Sequence, residues 1–271
     1  MANYWQDRWQ ASQAALANKS RKEVDRQIKK YYIKLSKKII SEYEALYNEV
    51  LLKKAAGEAI SPATLYKMDK YWQMQQQVRA QLTNTGAHLQ KAMSNMFQFF
   101  YKKSYNALQI DGVPLFSTID DNAITQIINR VWAADGQSWS QRIWKNMTLL
   151  QETLEEGLLE SVVTGKKTSD LKKTLQQRFN VSYTRADTLV RTEMAHIQTE
   201  AAKQRYNDYG IKEVEIWADP DERTCEVCGK LHRKKYPVGA QVPIPAHPRC
   251  RCCIVPVVDI KQNAIKGLGN N

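Results

Sequence analysis

The sequence predicts a mostly α-helical chain, a long-helix N-terminal region that ends in a small α+β module built around cysteines. Three observations carry that reading. Six of the eight prolines lie at or beyond Pro220, and all five cysteines fall between Cys225 and Cys253. Apolar residues before Gly210 recur at helical spacings, whereas those after it alternate or cluster in short runs. The 271 residues are 43% hydrophobic and 25% charged, the composition of a folded globular chain. Collagen-like, disulfide-dense and coiled-coil-only architectures do not fit it. No window approaches the ~18 consecutive apolar residues of a membrane span.

The first helix is marked by Val24, Ile28, Tyr31, Leu35, Ile39, Leu46 and Val50, which form one stripe. Gly57 to Pro62 ends it and starts another, with Ser61 as N-cap and Pro62 in the first turn. A second helical run is expected over roughly residues 62–108, weakened around Thr83-Asn84-Thr85-Gly86. Asp111-Gly112-Val113-Pro114 reads as a turn. Ile143, Leu150, Leu154, Leu158 and Val162 mark a further helix, which carries Gly157 at a cost of ~1 kcal/mol relative to Ala. Thr164-Gly165 closes it. Thr168 or Ser169 caps the next helix, which bears Leu171, Leu175 and Phe179, and a last helix runs from about Thr184 to Asp208 before Tyr209-Gly210.

Beyond Gly210 the period changes to two. Lys212 to Trp217 alternates as a strand does, and Ile254 to Val258 is a second apolar run whose Pro256 places it at an edge or a bulge. The two could pair and bracket the cysteines. The chain thus divides into a helical region 1–110, a helical region 111–210, a cysteine module 211–258 and a flexible tail 259–271. The opening residues lack the basic start and apolar run of a secretory signal, so the chain is expected to act where it is made or to leave inside a larger particle.

The cysteine spacing is C-x2-C-x18-H-x2-C, from Cys225 and Cys228 to His247 and Cys250, with Cys252 and Cys253 in addition. A C-x2-C turn presents two thiolates from one knuckle, and His-x2-Cys supplies a second pair, as tetrahedral Zn2+ requires. Metal binding would also hold a segment with few apolar residues in one structure. An odd cysteine count and the missing signal argue against disulfides. Cys250 and Cys252 compete for one position, and His232 could replace His247. Three thiolates and an imidazole close the coordination shell, so the expected zinc is structural. Glu226 reads as an exposed knuckle residue rather than a general base, and no Asn lies between Asn207 and Asn263 to serve a His-metal nuclease.

These residues resemble a known signature. Trp217, the Asp-Pro-Asp-Glu-Arg-Thr-Cys225-Glu-Val-Cys228 string and Pro245-Ala-His247-Pro-Arg-Cys250-Arg-Cys252 are similar to the C-terminal motif of phage Mu protein F-like minor head proteins. Val190-Arg191-Thr192-Glu193 matches that family's Arg-Thr-Glu element, and Tyr4-Trp5-Gln-Asp-Arg8-Trp9 resembles the start of minor capsid proteins of tailed phages. Cys253 is an addition to the family's Cys-Arg-Cys. The resemblance implies a non-enzymatic virion component inside the head near the portal, assembled in the host cytoplasm, with the portal protein, the major capsid protein and packaged double-stranded DNA as partners and no membrane role. It also leaves room for ejection with the genome. Some relatives carry an extra C-terminal enzyme domain, and none is expected here.

Charge locates a possible DNA contact. Forty Lys and Arg against 28 acids give +12, and Lys19 to Lys38 alone holds nine bases against two acids. The bases centre opposite Val24, Ile28, Leu35 and Ile39, so Lys22, Arg26, Lys29, Lys30, Lys34 and Lys37 form either a solvated face or a phosphate-contacting one. Tyr31 and Tyr32 read as packing residues, and Trp5, Trp9, Trp72, Trp132, Trp139 and Trp144 as core or interface anchors. Arg191 and Glu193 are expected to make charge pairs that hold the last helix against the cysteine module. Glu213-Val-Glu215 resembles the paired glutamates of ADP-ribosyltransferases, and equally reads as one solvent-facing side of a strand. The alternatives to a head protein are a zinc-stabilised nucleic-acid-binding protein and a metal-dependent nuclease.

Overall fold

The computed structural model describes residues 4–108, 119–218 and 224–257, with side chains from residue 10 onward. It is mostly helical. In order the elements are α1 (Tyr4–Ala55), α2 (Pro62–Tyr66), α3 (Asp69–Ala107), α4 (Asp121–Asn129), α5 (Trp139–Thr164), α6 (Thr168–Asp208), β1 (Glu213–Trp217), α7 (Glu226–Leu231), β2 (Lys235–Pro237) and β3 (Cys253–Pro256). The chain forms two compact units. One takes the described parts of Met1–Lys22, Met96–Arg130 and Arg191–Asn271, the other Glu23–Asn95 and Val131–Val190.

In the unit of Glu23–Asn95 and Val131–Val190, the expected stripe of α1 is buried at Val24, Ile28, Leu35, Ile39, Leu46 and Val50. Tyr31 departs from it: it is half-buried and stacks on His88, while Tyr32 occupies the core. The Tyr32 hydroxyl accepts from Asn146 Nδ2 at 2.9 Å, and the same amide donates to the Ser182 carbonyl. Tyr47 donates to the carbonyls of Ser161 and Lys166, at 2.7 and 2.6 Å, where α5 ends. That end is fixed by Gly165, whose φ of 64° is the left-handed conformation expected of a helix-closing glycine.

Three helix boundaries differ from the sequence expectation. Ser61 caps a helix as expected, but only the five-residue α2, and the chain breaks at Lys67-Met68 before α3. The helix does not weaken at Thr83 to Gly86. Gly86 is instead where the Trp144 ring lies close, since a Cβ there would sit 2.7 Å from it. The helices expected from Thr168 and from Thr184 are one continuous α6, because the Leu171, Leu175, Phe179, Ala186 and Val190 stripe carries the packing across Asn180 to Tyr183. α4 and β2 were not anticipated. The expected turn at Asp111 to Pro114, Val258 and the tail 259–271 lie outside the described residues, as do the side chains of Trp5 and Trp9.

In the other unit, β1 is the centre of a three-stranded antiparallel sheet ordered β2-β1-β3. The two strands expected from sequence do pair, Val214 with Pro256 through Trp217 with Cys253, and Pro256 sits on an edge strand. Val214, Ile216, Ile254, Cys228, Cys250 and Cys252 share one core with Ala202 and Tyr206 of α6. Arg205 is buried between the Tyr105 and Tyr209 rings, 4.7 and 4.8 Å from their centroids, and donates to the Leu108 carbonyl.

Two outcomes follow from the packing. Gly157 lets α5 approach α6, since a Cβ there would lie 3.2 Å from Thr174 Cγ2. Gly157→Leu is expected to lower stability by about 1–3 kcal/mol in denaturant titration, although helix propensity alone would favour Leu by roughly 1 kcal/mol. His196 is buried on α6, and burial pushes its pKa down to about 4, against a partial opposing pull from Glu200. Between pH 6.5 and 4 the unfolded chain therefore binds the proton and the folded chain does not, so stability rises with pH there. The contribution is complete above pH 6.5 and falls by up to about 3 kcal/mol as pH drops towards 4. His196→Gln should flatten that part of the stability–pH profile.

Candidate metal centre

The cysteine cluster is assembled by two turns and a strand. Cys225 is the N-cap of α7, and its Sγ accepts the Cys228 N–H at 3.4 Å, so the C-x2-C knuckle is a helix start. That backbone hydrogen bond holds the exposed Cys225 thiol below its ordinary pKa. Cys228, one turn on, is buried, and burial pushes its thiol up to about 12.

The second turn carries His247 and Cys250. His247 Nδ1 lies 2.9 Å from the Pro248 carbonyl, which can only accept, so Nδ1 carries the proton. The Nε2 lone pair is then free to ligate, and Nε2 lies 3.1 Å from Cys228 Sγ. The same contact with the Pro248 carbonyl raises the His247 pKa. Cys250 Sγ lies 3.7 Å from Cys228 Sγ. The hydrogen bond between Cys250 and Cys252 lowers the Cys250 thiol to about 5 and raises that of Cys252.

The ligand atoms form two groups, Cys225–Cys228–His247 and Cys228–Cys250–Cys252, each with all atoms within 4.8 Å of one another. Metal–sulfur bonds of ~2.3 Å in a tetrahedron place sulfurs about 3.8 Å apart, which the Cys228–Cys250 distance matches. The five candidate ligands thus fall into two groups that share Cys228. His232 is not among them: its Nδ1 accepts the Ala218 N–H at 3.2 Å and its ring meets Trp217 edge-on. Cys253 lies on β3 outside both groups. Glu226 is exposed and pairs with Lys230.

α6 supports the second turn through Thr192, whose Oγ1 accepts the Arg249 N–H at 3.1 Å. Arg249 holds a left-handed φ of 62°, which costs a non-glycine residue about 1–2 kcal/mol. The spacing of the cysteines gave no sign of this hydroxyl contact, although the expected Arg191 and Glu193 pairs flank it in sequence. On β1, Glu213 is exposed and Glu215 accepts from Trp217 Nε1 at 2.9 Å. Residues 219–223 of the signature lie outside the described residues. On α1, Lys22, Arg26, Lys29, Lys30, Lys34 and Lys37 are all exposed, with Arg26 paired to Glu23. No helix among the described residues is long and apolar enough to cross a membrane.

Residues 152–255 match the family described as Phage Mu protein F like protein. The matched segment begins within α5, takes in α6, β1 and β2, ends within β3 and contains all five cysteines. The chain is also similar, at 22% identity over 277 residues, to NAD(+)–arginine ADP-ribosyltransferase EFV of Enterococcus faecalis. That match covers 93% of this chain and 55% of the relative, so the chain spans about half the length of the protein it resembles. No solved structure matches it.

Proposed function

We propose that this chain is a non-enzymatic minor head protein of a tailed bacteriophage, acting in head morphogenesis at the portal or inner capsid. The observation that carries the reading is the Phage Mu protein F like match over residues 152–255, which spans the cysteine cluster and the helix that braces it. In this reading the portal or major capsid protein is the protein partner, and the chain is part of the virion after assembly in the host cytoplasm. A role in packaging or ejection belongs to the same proposal.

The cluster would hold one structural Zn2+ through Cys225, Cys228, His247 and one of Cys250 and Cys252. Four protein ligands leave no position for an activated water, which separates this site from that of a metal-dependent nuclease. Binding would add its free energy to the folding of the sheet module. Packaged DNA would be met by the exposed bases of α1, where Val24, Ile28, Leu35 and Ile39 face the core and leave the charges to solvent.

A second reading comes from the similarity to the ADP-ribosyltransferase. Glu213 and Glu215, two apart on β1, are the residues it would use, but Glu215 already accepts the Trp217 indole N–H. Release of nicotinamide from NAD+ by the purified chain, lost in Glu215→Gln, would overturn the non-enzymatic reading.

Mass spectrometry of purified particles is expected to find the chain in the virion, and its absence there would overturn the head-protein reading. Elemental analysis should return close to one equivalent of zinc per chain, falling below about half in Cys228→Ser, with a chelator lowering the melting temperature of the wild type. DNA binding should weaken with salt. Neutralising Lys29, Lys30, Lys34 and Lys37 to Gln should reduce the slope of log K against log salt by about one for each phosphate contact removed.

A further inference from the structure

We propose that Cys228, Cys250 and Cys252 form a second, three-coordinate site that takes Cu(I), overlapping the tetrahedral site through the shared Cys228. The inference rests on the reading that the cluster binds metal, and it adds a different ion and a different ligand set.

The two ligand groups differ in chemistry. Cys225–Cys228–His247 mixes two sulfurs with a nitrogen, and two of its three residues reach solvent. Cys228–Cys250–Cys252 is all sulfur, and its members are 4%, 0% and 8% exposed. A tetrahedral ion that draws on Cys225, Cys228 and His247 needs only one more ligand, so one of Cys250 and Cys252 is surplus to it. An ion that is satisfied by three thiolates uses both and needs neither Cys225 nor His247.

Softness rather than spacing separates the two ions, because 3.7 Å fits the tetrahedral spacing of about 3.8 Å as well as the planar one. Three sulfurs at about 2.3 Å around a planar ion stand about 4.0 Å apart, close to the observed 3.7 Å between Cys228 and Cys250 and inside the 4.8 Å that bounds the group. Thiolates without nitrogen or oxygen partners select soft ions, and Cu(I) is the soft ion of that set that does not demand a fourth ligand. Burial removes the waters that a harder ion would retain. Binding releases up to three thiol protons and changes no oxidation state. The resulting site carries two net negative charges, with Arg249 and Arg251 beside it in sequence.

The test uses the full reduced chain, freed of metal and kept anaerobic. Cu(I) is titrated against a chromogenic chelator, and zinc is titrated in parallel. Helical circular dichroism of each variant checks that the fold is retained. Cys252→Ser is expected to lower Cu(I) affinity at least about 100-fold, whereas His247→Ala should lower zinc affinity at least about 10-fold and change Cu(I) affinity by less than about threefold. Cys253→Ala, outside both groups, should leave both affinities in place. If His247→Ala and Cys252→Ser weaken Cu(I) equally, the three-coordinate site is wrong and the zinc site stands. If Cu(I) depends on Cys252 while zinc does not bind, the zinc reading falls and this one stands. Binding of neither ion overturns both.

Discussion

The Ile254 carbonyl is the point on which the sheet module depends. β3 is an edge strand, and because Trp217 pairs with Cys253 and Glu215 with Val255, the Ile254 carbonyl between them turns away from β1. Ile254 is fully buried, so that carbonyl has no water to accept from and must be satisfied by protein. Gln13 Nε2 reaches it from α1 at 3.0 Å, and Tyr206 OH approaches it from α6 at 3.4 Å. Gln198 Nε2 in turn donates to the Gln13 carbonyl at 2.9 Å. One buried acceptor thereby joins α1, α6 and the strand that follows directly on Cys252. Leaving it unpaired would cost about 1–3 kcal/mol, a large part of what a module of this size has available.

That constraint explains why the cysteines can stand so close without a disulfide. Cys252 and Cys253 lead into β3 and Cys225 starts α7 just after β1, so pairing β1 with β3 draws the two cysteine runs together. The Ile254 contacts then fix β3 from its outer side, and Thr192 fixes the turn bearing His247 and Cys250 through Arg249. Sulfurs and imidazole converge because the backbone on both sides of them is held. Burial raises the Cys228 thiol, and the hydrogen bond between Cys250 and Cys252 raises Cys252. In the proposed reading an ion would replace those protons, and its binding would add to the folding of this module.

How much of this was legible in the sequence follows from the range of each interaction. The cysteine spacing, the alternation of β1 and the closing glycines Gly165 and Gly210 are local signals; the strand and the two glycines take the expected geometry, and the cysteines with His247 lie in two neighbouring groups. The family resemblance was legible for the same reason, since its motifs from Val190 to Cys252 sit within short windows of the matched segment 152–255, while the Tyr4 to Trp9 string lies outside it. Gly86 misled because a glycine within a helix reads as a breaker, whereas its cause is the Trp144 ring on a helix 58 positions away. The break expected between Phe179 and Thr184 failed similarly, because Asn180 and Ser182 are weak helix formers whose context is set by tertiary packing, with Ser182 buried against Tyr32. Gln13 could not have been found at all: its partner lies 241 positions along the chain.

The charge distribution completes the argument about what the two ends of the chain can do. Residues 1–56 hold twelve bases against six acids, while residues 211–271 hold ten against seven. Three thiolates around a divalent ion subtract one more charge from the second set. With the proposed metal the module would carry a smaller net positive charge than residues 1–56. On α1 the exposed bases lie on the opposite side from a buried apolar stripe, and that is the face the proposed DNA contact would use. The proposed metal and phosphate contacts would use separate parts of the sequence, so a change in one set of residues should leave the other intact.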